Sequence, residues 1–230
     1  MQPAPLPEWP RALLDASQQQ LLSRGSRWKP AVLRSVDAQG QVRIVKDCRK
    51  VSILTRWIAR ILMARERRIL LLLKGMQGFP TVMERLDRDA FSMCEMPGTV
   101  LEPETFQLAP RQIADALLER TAAMNQLGVF HLDLRQRQNI LLGPGMELAI
   151  IDFGAAWAPG VFARWVFGPL LTSVDRSAAL KYLARFAPQC LTRVEAEEVL
   201  RGLRRRKLWI LSPYRARGIE LAVRKHLEDI

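Results

Sequence analysis

The stretch GVFHLDLRQRQNILL, Gly128–Leu142, places His131, Asp133 and Asn139 between an apolar helical run and an apolar strand-like run. Read alone, it is a polar turn in which His131 and Asn139 act as caps and Asp133 as a turn former. Read together with residues 143–154, it is one part of a larger pattern. The strand NILL, the turn GPGM and the strand LAIIDFG form an antiparallel pair that delivers Asp152 to a Gly-ended loop. Such a pair can bring Asn139 and Asp152 to one end, where a carboxylate and an amide oxygen suit a hard cation. Asp133 lies one loop earlier.

Upstream of this stretch, PRQIADALLERTAAMNQLG predicts a helix with Pro110 at its start, Gly128 just past its end, and a stripe of Ile113, Leu117, Met124 and Leu127. Further back, AVLRSV (31–36), the turn DAQGQ and VRIVK (42–46) read as a hairpin. Ser52 is placed to cap an amphipathic helix, ILTRWIARILMARERRILLLLK, with apolar Leu54, Trp57, Ile58, Ile61, Leu62 and Leu70 between basic residues. GMQGFP stops it, and two short strands come next, the second reaching Glu95 and Met96 before the Pro97-Gly98 turn. From Ala158 onward the chain reads as helical. The order is a small sheet with one helix, a connector, then a mostly helical part.

Composition sets outer limits. At 230 residues and 49% hydrophobic content the chain can bury a core. No apolar run approaches the roughly 20 residues that span a bilayer, and the start MQPAPLPEWP has no basic head and apolar middle. A cytoplasmic protein is expected. Cys48, Cys94 and Cys190 are far apart without C-x-x-C spacing, and the chain has two histidines, which argues against a disulfide framework or a zinc site. The net charge of +12 favours anionic partners without choosing among them. No nucleic-acid motif accompanies it, so nucleic acid is not the expected partner. Basic residues gather in Arg56–Arg68 and Arg201–Lys207, and each cluster reads first as a solvated helix face.

Taken in order, these residues resemble the protein-kinase-like superfamily. His131-x-Asp133 with Asn139 resembles the catalytic loop, and Asp152-Phe153-Gly154 the metal-binding triplet. VRIVK resembles the strand whose lysine, here Lys46, contacts the nucleotide phosphates. ARERRIL puts Glu66 where the ion-pair glutamate falls, although Glu66 can equally pair with Arg65, Arg67 and Arg68 within its helix. FSMCEMPG resembles the hinge, so the backbone of Glu95 and Met96 is expected to hold adenine. His131 is expected to be structural, packing near Phe153, rather than a base.

The resemblance implies an α+β, bilobal protein-kinase-like fold: an N-terminal extension over 1–22, a small antiparallel-sheet N-lobe with one long helix over 23–98, and a reduced, mostly helical C-lobe over 99–230. It implies ATP and Mg2+ as cofactors, Asp133 and Lys46 as catalytic residues, Lys46, Glu66, Glu95 and Met96 at the nucleotide, and Asn139 and Asp152 at the metal. The pattern departs from regulated protein kinases in several places. Leu132 replaces the arginine that reads a phosphorylated loop, no Ala-Pro-Glu element comes after Asp152, and one residue is added between Asp133 and Asn139, with Gln138 a spare amide. The glycine-rich loop is reduced to Ser23–Trp28, with Gly25 its one glycine and Arg24 or Arg27 near the phosphates. These features resemble small bacterial kinases, of the lipopolysaccharide-core (Kdo/heptose) kinase type, the aminoglycoside and choline kinase type and the RIO type. The expected acceptor is a hydroxyl group, most simply on a lipopolysaccharide-core sugar or another glycolipid, with the protein peripheral at the inner face of the inner membrane. A Trp-containing basic helix on a +12 chain fits an anionic membrane surface, and fits a lobe-packing helix equally well. A RIO-like Ser/Thr protein kinase and a pseudokinase scaffold are the alternatives.

Overall fold

The computed structural model of the chain describes residues 11–207 and 217–229. It divides into two compact units, the first comprising the chain to Pro97 with Ala149–Ala156, the second Gly98–Leu148 with the rest. The architecture is α+β, with a five-stranded antiparallel sheet in the first unit and most of the helices in the second.

The first unit opens with α1 (Arg11–Asp15) and the strand β1 (Gln18–Ser23), followed by β2 (Ala31–Val36) and β3 (Val42–Asp47). The hairpin falls as its alternation predicts, with Leu33 opposite Val45 and Val32 opposite Lys46. Helix α2 (Arg56–Leu72) comes next, then β4 (Val82–Arg85) and β5 (Ala90–Cys94). Strand order is β1-β2-β3-β5-β4, so β3 is central and Lys46 sits between Val32 and Phe91. Because side chains alternate across a strand, Val45 and Lys46 point to opposite faces. Val45 packs with Leu14, Leu86 and Ala90. Lys46 faces α2.

Residues 11–22 are therefore not an extension outside the sheet. Leu14 is buried against Val45, and Arg11 donates to Asp47 at 2.6 Å and to Asp87 at 2.8 Å. The alternation of QQQLLS is too weak to show this, since every β1 residue is exposed and only the pairing with β2 makes it a strand.

Helix α2 also differs from its predicted form. It begins after Thr55 rather than Ser52, whose carbonyl instead accepts the N–H groups of Thr55 and Arg56 in a preceding turn. Its buried stripe is Ala59, Met63, Glu66 and Leu70, with Ile69 alongside. Leu54, Trp57 and Ile61 are exposed. Three of its five arginines have internal partners: Arg56 donates to the carbonyls of Val51 and Arg49, Arg60 to Asp89, and Arg65 to the carbonyl of Gly154.

The second unit carries β6 (Thr99–Val100), α3 (Pro103–Leu108), α4 (Pro110–Gln126) and β7 (Ile140–Leu142). Strand β7 pairs antiparallel with β6, and Gly98, at φ +120°, lets the chain pass Leu142, where a Cβ would stand 2.6 Å from that residue's carbonyl carbon. Helix α4 starts at Pro110, buries Ile113, Leu117 and Met124, and leaves Leu127 half-exposed rather than in the stripe. The Gly143 N–H donates to Glu147 at 2.8 Å to close the turn before β8 (Leu148–Ile150), in which the division between units falls. Residues 149–156 thus group with the first unit and not with the helical one.

Helices α5 (Val161–Phe186), α6 (Arg193–Lys207) and α7 (Arg217–Asp229) complete the second unit. The C-terminal half of α5 is its central helix, burying Ala178, Ala179, Leu180, Tyr182 and Leu183. Thr192 and Glu195 form a reciprocal cap on α6, and Arg111 of α4 donates to Glu195 at 2.7 Å. In the basic run 201–207, Arg201 and Arg204 are exposed, and the side chains from Arg205 onward lie outside the described residues.

Candidate functional site

The predicted residues form two clusters, one in each unit. In the first unit, Lys46 is nearly inaccessible on β3, and its Nζ donates to Glu66 Oε1 at 2.6 Å and to Asp152 Oδ1 at 2.9 Å. Three segments far apart in sequence meet at this ammonium. Glu66 reaches it because it stands on the buried stripe of α2, so the alternative of pairing with neighbouring arginines does not hold. The Phe153 N–H also donates to Glu66. Asp152 is held by its own local structure: φ is +61°, and its carboxylate accepts the Gly154 N–H. The segment is tied to the unit by the Ile150 N–H on Gly78 O at 2.9 Å, by Arg65 on Gly154 O at 2.6 Å, and by edge-on packing of Phe153 on Phe79.

The charges in this cluster stabilise each other. Burial works against the ammonium of Lys46, but attraction from Glu66 and Asp152 outweighs it and raises its pKa above the ordinary value. Burial pushes the Glu66 carboxyl up, opposed by Lys46. Asp152 is lowered, because Lys46 outweighs the burial that would raise it. A buried ammonium whose partners include a carboxylate half open to solvent can exchange part of its pairing for another anion, such as a phosphate.

Two more segments of the first unit are expected at the nucleotide, the β1–β2 loop and the residues after β5. In the loop, Gly25 has φ +69°, and a Cβ there would lie 2.5 Å from Lys29 O, so this turn requires glycine. Thr55 Oγ1 donates to Arg27 O, which ties the loop to the start of α2. Glu95 and Met96 come directly after β5, which ends two residues short of the predicted strand. The Glu95 carboxylate is engaged by Arg34 at 2.7 Å, which leaves recognition there to the backbone.

In the second unit, Asp133 and Asn139 are brought together. Asn139 Nδ2 donates to the Asp133 carbonyl at 2.9 Å and to its carboxylate at 3.3 Å, leaving the amide oxygen as a neutral hard donor. Gln136 Nε2 also donates to Asp133 Oδ2, at 2.8 Å. Asn139 does not open a strand; it ends a 3-10 turn, Arg137–Asn139, and β7 begins at the next residue. Gln138 is exposed. With Val100, Glu102, Gln136 and Arg137 it lines a polar cleft of about 410 Å³.

Two residues without a signal in the sequence of residues 131–139 hold this loop in place. Asp175, fully buried on α5, accepts the His131 N–H at 2.8 Å and the Leu132 N–H at 2.7 Å. Tyr182, two turns on, donates to Leu134 O at 2.8 Å. His131 is fully buried, and its Nδ1 accepts the Asp133 N–H at 3.3 Å. Leu132 is left-handed at φ +65°, a strained state for a non-glycine residue that the two bonds to Asp175 hold. Burial pushes the Asp175 carboxyl up to about 6, with the two N–H bonds opposing. The signal that could have found Asp175 is an acid in register with Ala178, Ala179 and Tyr182 on an apolar helix stripe.

Among the described residues, no three His, Cys, Asp or Glu side chains converge as a metal cage. All three cysteines are free. No helix among the described residues is long and apolar enough to cross a membrane. No protein-family model matches the chain, and no curated protein matches it significantly.

Proposed function

We propose that this chain is an ATP-dependent phosphotransferase of protein-kinase-like type, moving a γ-phosphoryl group to a hydroxyl. The observation that carries the reading is the buried Lys46 bonded to both Glu66 and Asp152. Phosphoryl transfer asks a protein mainly to position and neutralise phosphates, and a lysine oriented by one carboxylate beside a second carboxylate does that. Asp133 serves as the acceptor of the hydroxyl proton, its carboxylate oriented by Gln136 and Asn139. Glu95 and Met96 supply backbone for adenine.

Each unit holds an oxygen donor of the kind magnesium takes. Mg2+ is commonly held by one or two protein oxygens together with substrate phosphates, rather than by a dedicated cage. The Asp152 carboxylate and the Asn139 amide oxygen are donors of that kind. The ion would supply neutralisation of charge on the phosphates.

The acceptor is proposed to be rich in hydroxyls, a lipopolysaccharide-core sugar or a similar glycolipid at an anionic membrane surface. The cleft lined by Gln136, which donates to Asp133, and by Gln138 supports this, since both amides donate and accept. Labelled ATP incubated with lipid, sugar and protein fractions tests the proposal. Label should enter the lipid or sugar fraction with wild type and fall at least 100-fold in Asp133→Ala and Asp152→Ala. Undiminished labelling in both variants would remove the phosphotransferase, and label confined to protein bands would move the acceptor to protein.

A further inference from the structure

Between Trp157 and Val174 the sequence contains no acidic residue and a single charge, Arg164. This stretch forms the first half of α5, and packing does not explain its composition. Val161, Phe162 and Trp165 are 89%, 77% and 78% exposed, and Val166, Phe167 and Leu170 are each about half-exposed. Phe162 packs against Trp165, and Trp157 against Phe167, so the aromatic groups stand in contacting pairs rather than as isolated residues. A monomeric protein seldom exposes an apolar surface of this extent without a partner. Arg164 does not interrupt it, because its guanidinium turns back to donate to Gln126 O at 2.6 Å.

We infer that the segment Val161–Leu170 inserts into the headgroup–acyl boundary of an anionic bilayer. Three observations favour lipid over a protein partner. First, at 100° per residue the six exposed apolar side chains sweep roughly 240° of the helix circumference. A protein groove seats the narrow i, i+3, i+4, i+7 stripe of a helix, whereas a bilayer interface takes up a broad apolar face. Second, ten residues rise about 15 Å, half the roughly 30 Å hydrocarbon thickness, which suits a helix lying in the interface and not spanning it. Tryptophan, with an apolar ring and one polar N–H, is the residue most at home at that depth. Third, the +12 charge draws the whole chain to anionic headgroups, and no carboxylate in the segment opposes it.

The helix expected from sequence to meet the membrane, α2, is the weaker candidate, since Arg56, Arg60 and Arg65 are engaged by internal partners. The inference assigns the proposed membrane location to a particular element, and it holds whatever the chain phosphorylates.

The test is flotation of the full chain with vesicles of phosphatidylethanolamine and phosphatidylglycerol (7:3), and with phosphatidylcholine alone. Wild type should float with the anionic vesicles and at least tenfold less with the neutral ones. The double variant Phe162→Ser/Trp165→Ser should lose at least tenfold in partition, with an unchanged thermal melt because both side chains are solvent-exposed. Trp57→Ser should float as wild type. In vesicles carrying brominated acyl chains, part of the fluorescence should be quenched, and Trp165→Phe should remove that part. The inference is overturned if wild type does not float, if the double variant floats undiminished, or if Trp57→Ser alone abolishes flotation. It is equally overturned if the patch proves to join two copies, seen as a wild-type dimer that neither floats nor survives the double substitution. Because the readout is binding, its failure is distinct from loss of phosphotransfer.

Discussion

Asp175 accepts the backbone N–H of His131 at 2.8 Å from a position 44 residues later in the chain, and with its second oxygen it accepts the N–H of Leu132. One buried carboxylate thereby fixes the turn on which Asp133 stands. Asp175→Ala strands two buried donors, at roughly 1–3 kcal/mol each, and releases the strained Leu132. Chemical denaturation should show a loss of that order, and the amides of residues 131–134 should exchange faster. A loss below about 1 kcal/mol would mean the clamp is not structural.

The same carboxyl predicts a pH dependence. Its folded pKa is raised from 3.8 to about 6 by burial, with the two N–H bonds opposing. The folded state therefore holds this proton more tightly than the unfolded chain. Its stabilising contribution is complete below pH 3.8 and is lost as pH rises through about 6. At about 1.4 kcal/mol per unit, up to roughly 3 kcal/mol is involved. Asp175→Asn, which is neutral at every pH, should show no such loss, so the denaturation midpoint of wild type should fall relative to that of the variant between pH 4 and pH 7. Parallel profiles would contradict the assignment.

Lys46 and Glu66 separate stability from function. Removing one partner of a buried pair leaves an uncompensated charge, costing about 3 kcal/mol or more. Glu66→Ala should show it, moderated by the remaining bond from Lys46 to Asp152. The double substitution Lys46→Met/Glu66→Leu replaces the pair with apolar groups and should recover most of the stability. It should also abolish the thermal shift with magnesium and ATP. A double variant no more stable than the single one would show that the pair contributes more than it costs to bury.

Leu14 tests the place of the N-terminal segment. It is fully buried against Val45, Leu86 and Ala90, so Leu14→Ala should cost about 2–5 kcal/mol. Exposed Leu21→Ala in β1 should cost less than about 0.5 kcal/mol. Equal effects would place residues 11–16 outside the core.

Gly25 tests the loop between β1 and β2. Alanine there meets both a left-handed backbone, worth roughly 1–2 kcal/mol, and contacts of 2.5 and 2.6 Å with the carbonyl oxygens of Lys29 and Pro30. Gly25→Ala should open the loop to proteolysis and weaken ATP binding several-fold, read by thermal shift. Unchanged protection and binding would mean that the loop neither needs this conformation nor touches nucleotide.

What the sequence determined by itself was the local structure whose signals lie in neighbouring residues. The β2–β3 hairpin follows from alternation around a Gly-containing turn, and α4 from Pro110, a helical stripe and Gly128. The residue types at Lys46, Asp133, Asn139 and Asp152 were legible for the same reason, since each sits at a strand end or turn marked by its neighbours. Tertiary structure alone decided which face of α2 is buried, because an apolar Leu54–Trp57–Ile61 face competes with an Ala59–Met63–Glu66–Leu70 stripe. Periodicity cannot rank two faces of one helix, whereas the charge on Lys46 requires Glu66 to turn inward. It alone made β1 a strand, through pairing with β2, and joined Asp175 to the backbone of His131. A carboxylate that binds peptide N–H groups leaves no signature in the residues it holds, so only the folded chain reveals it.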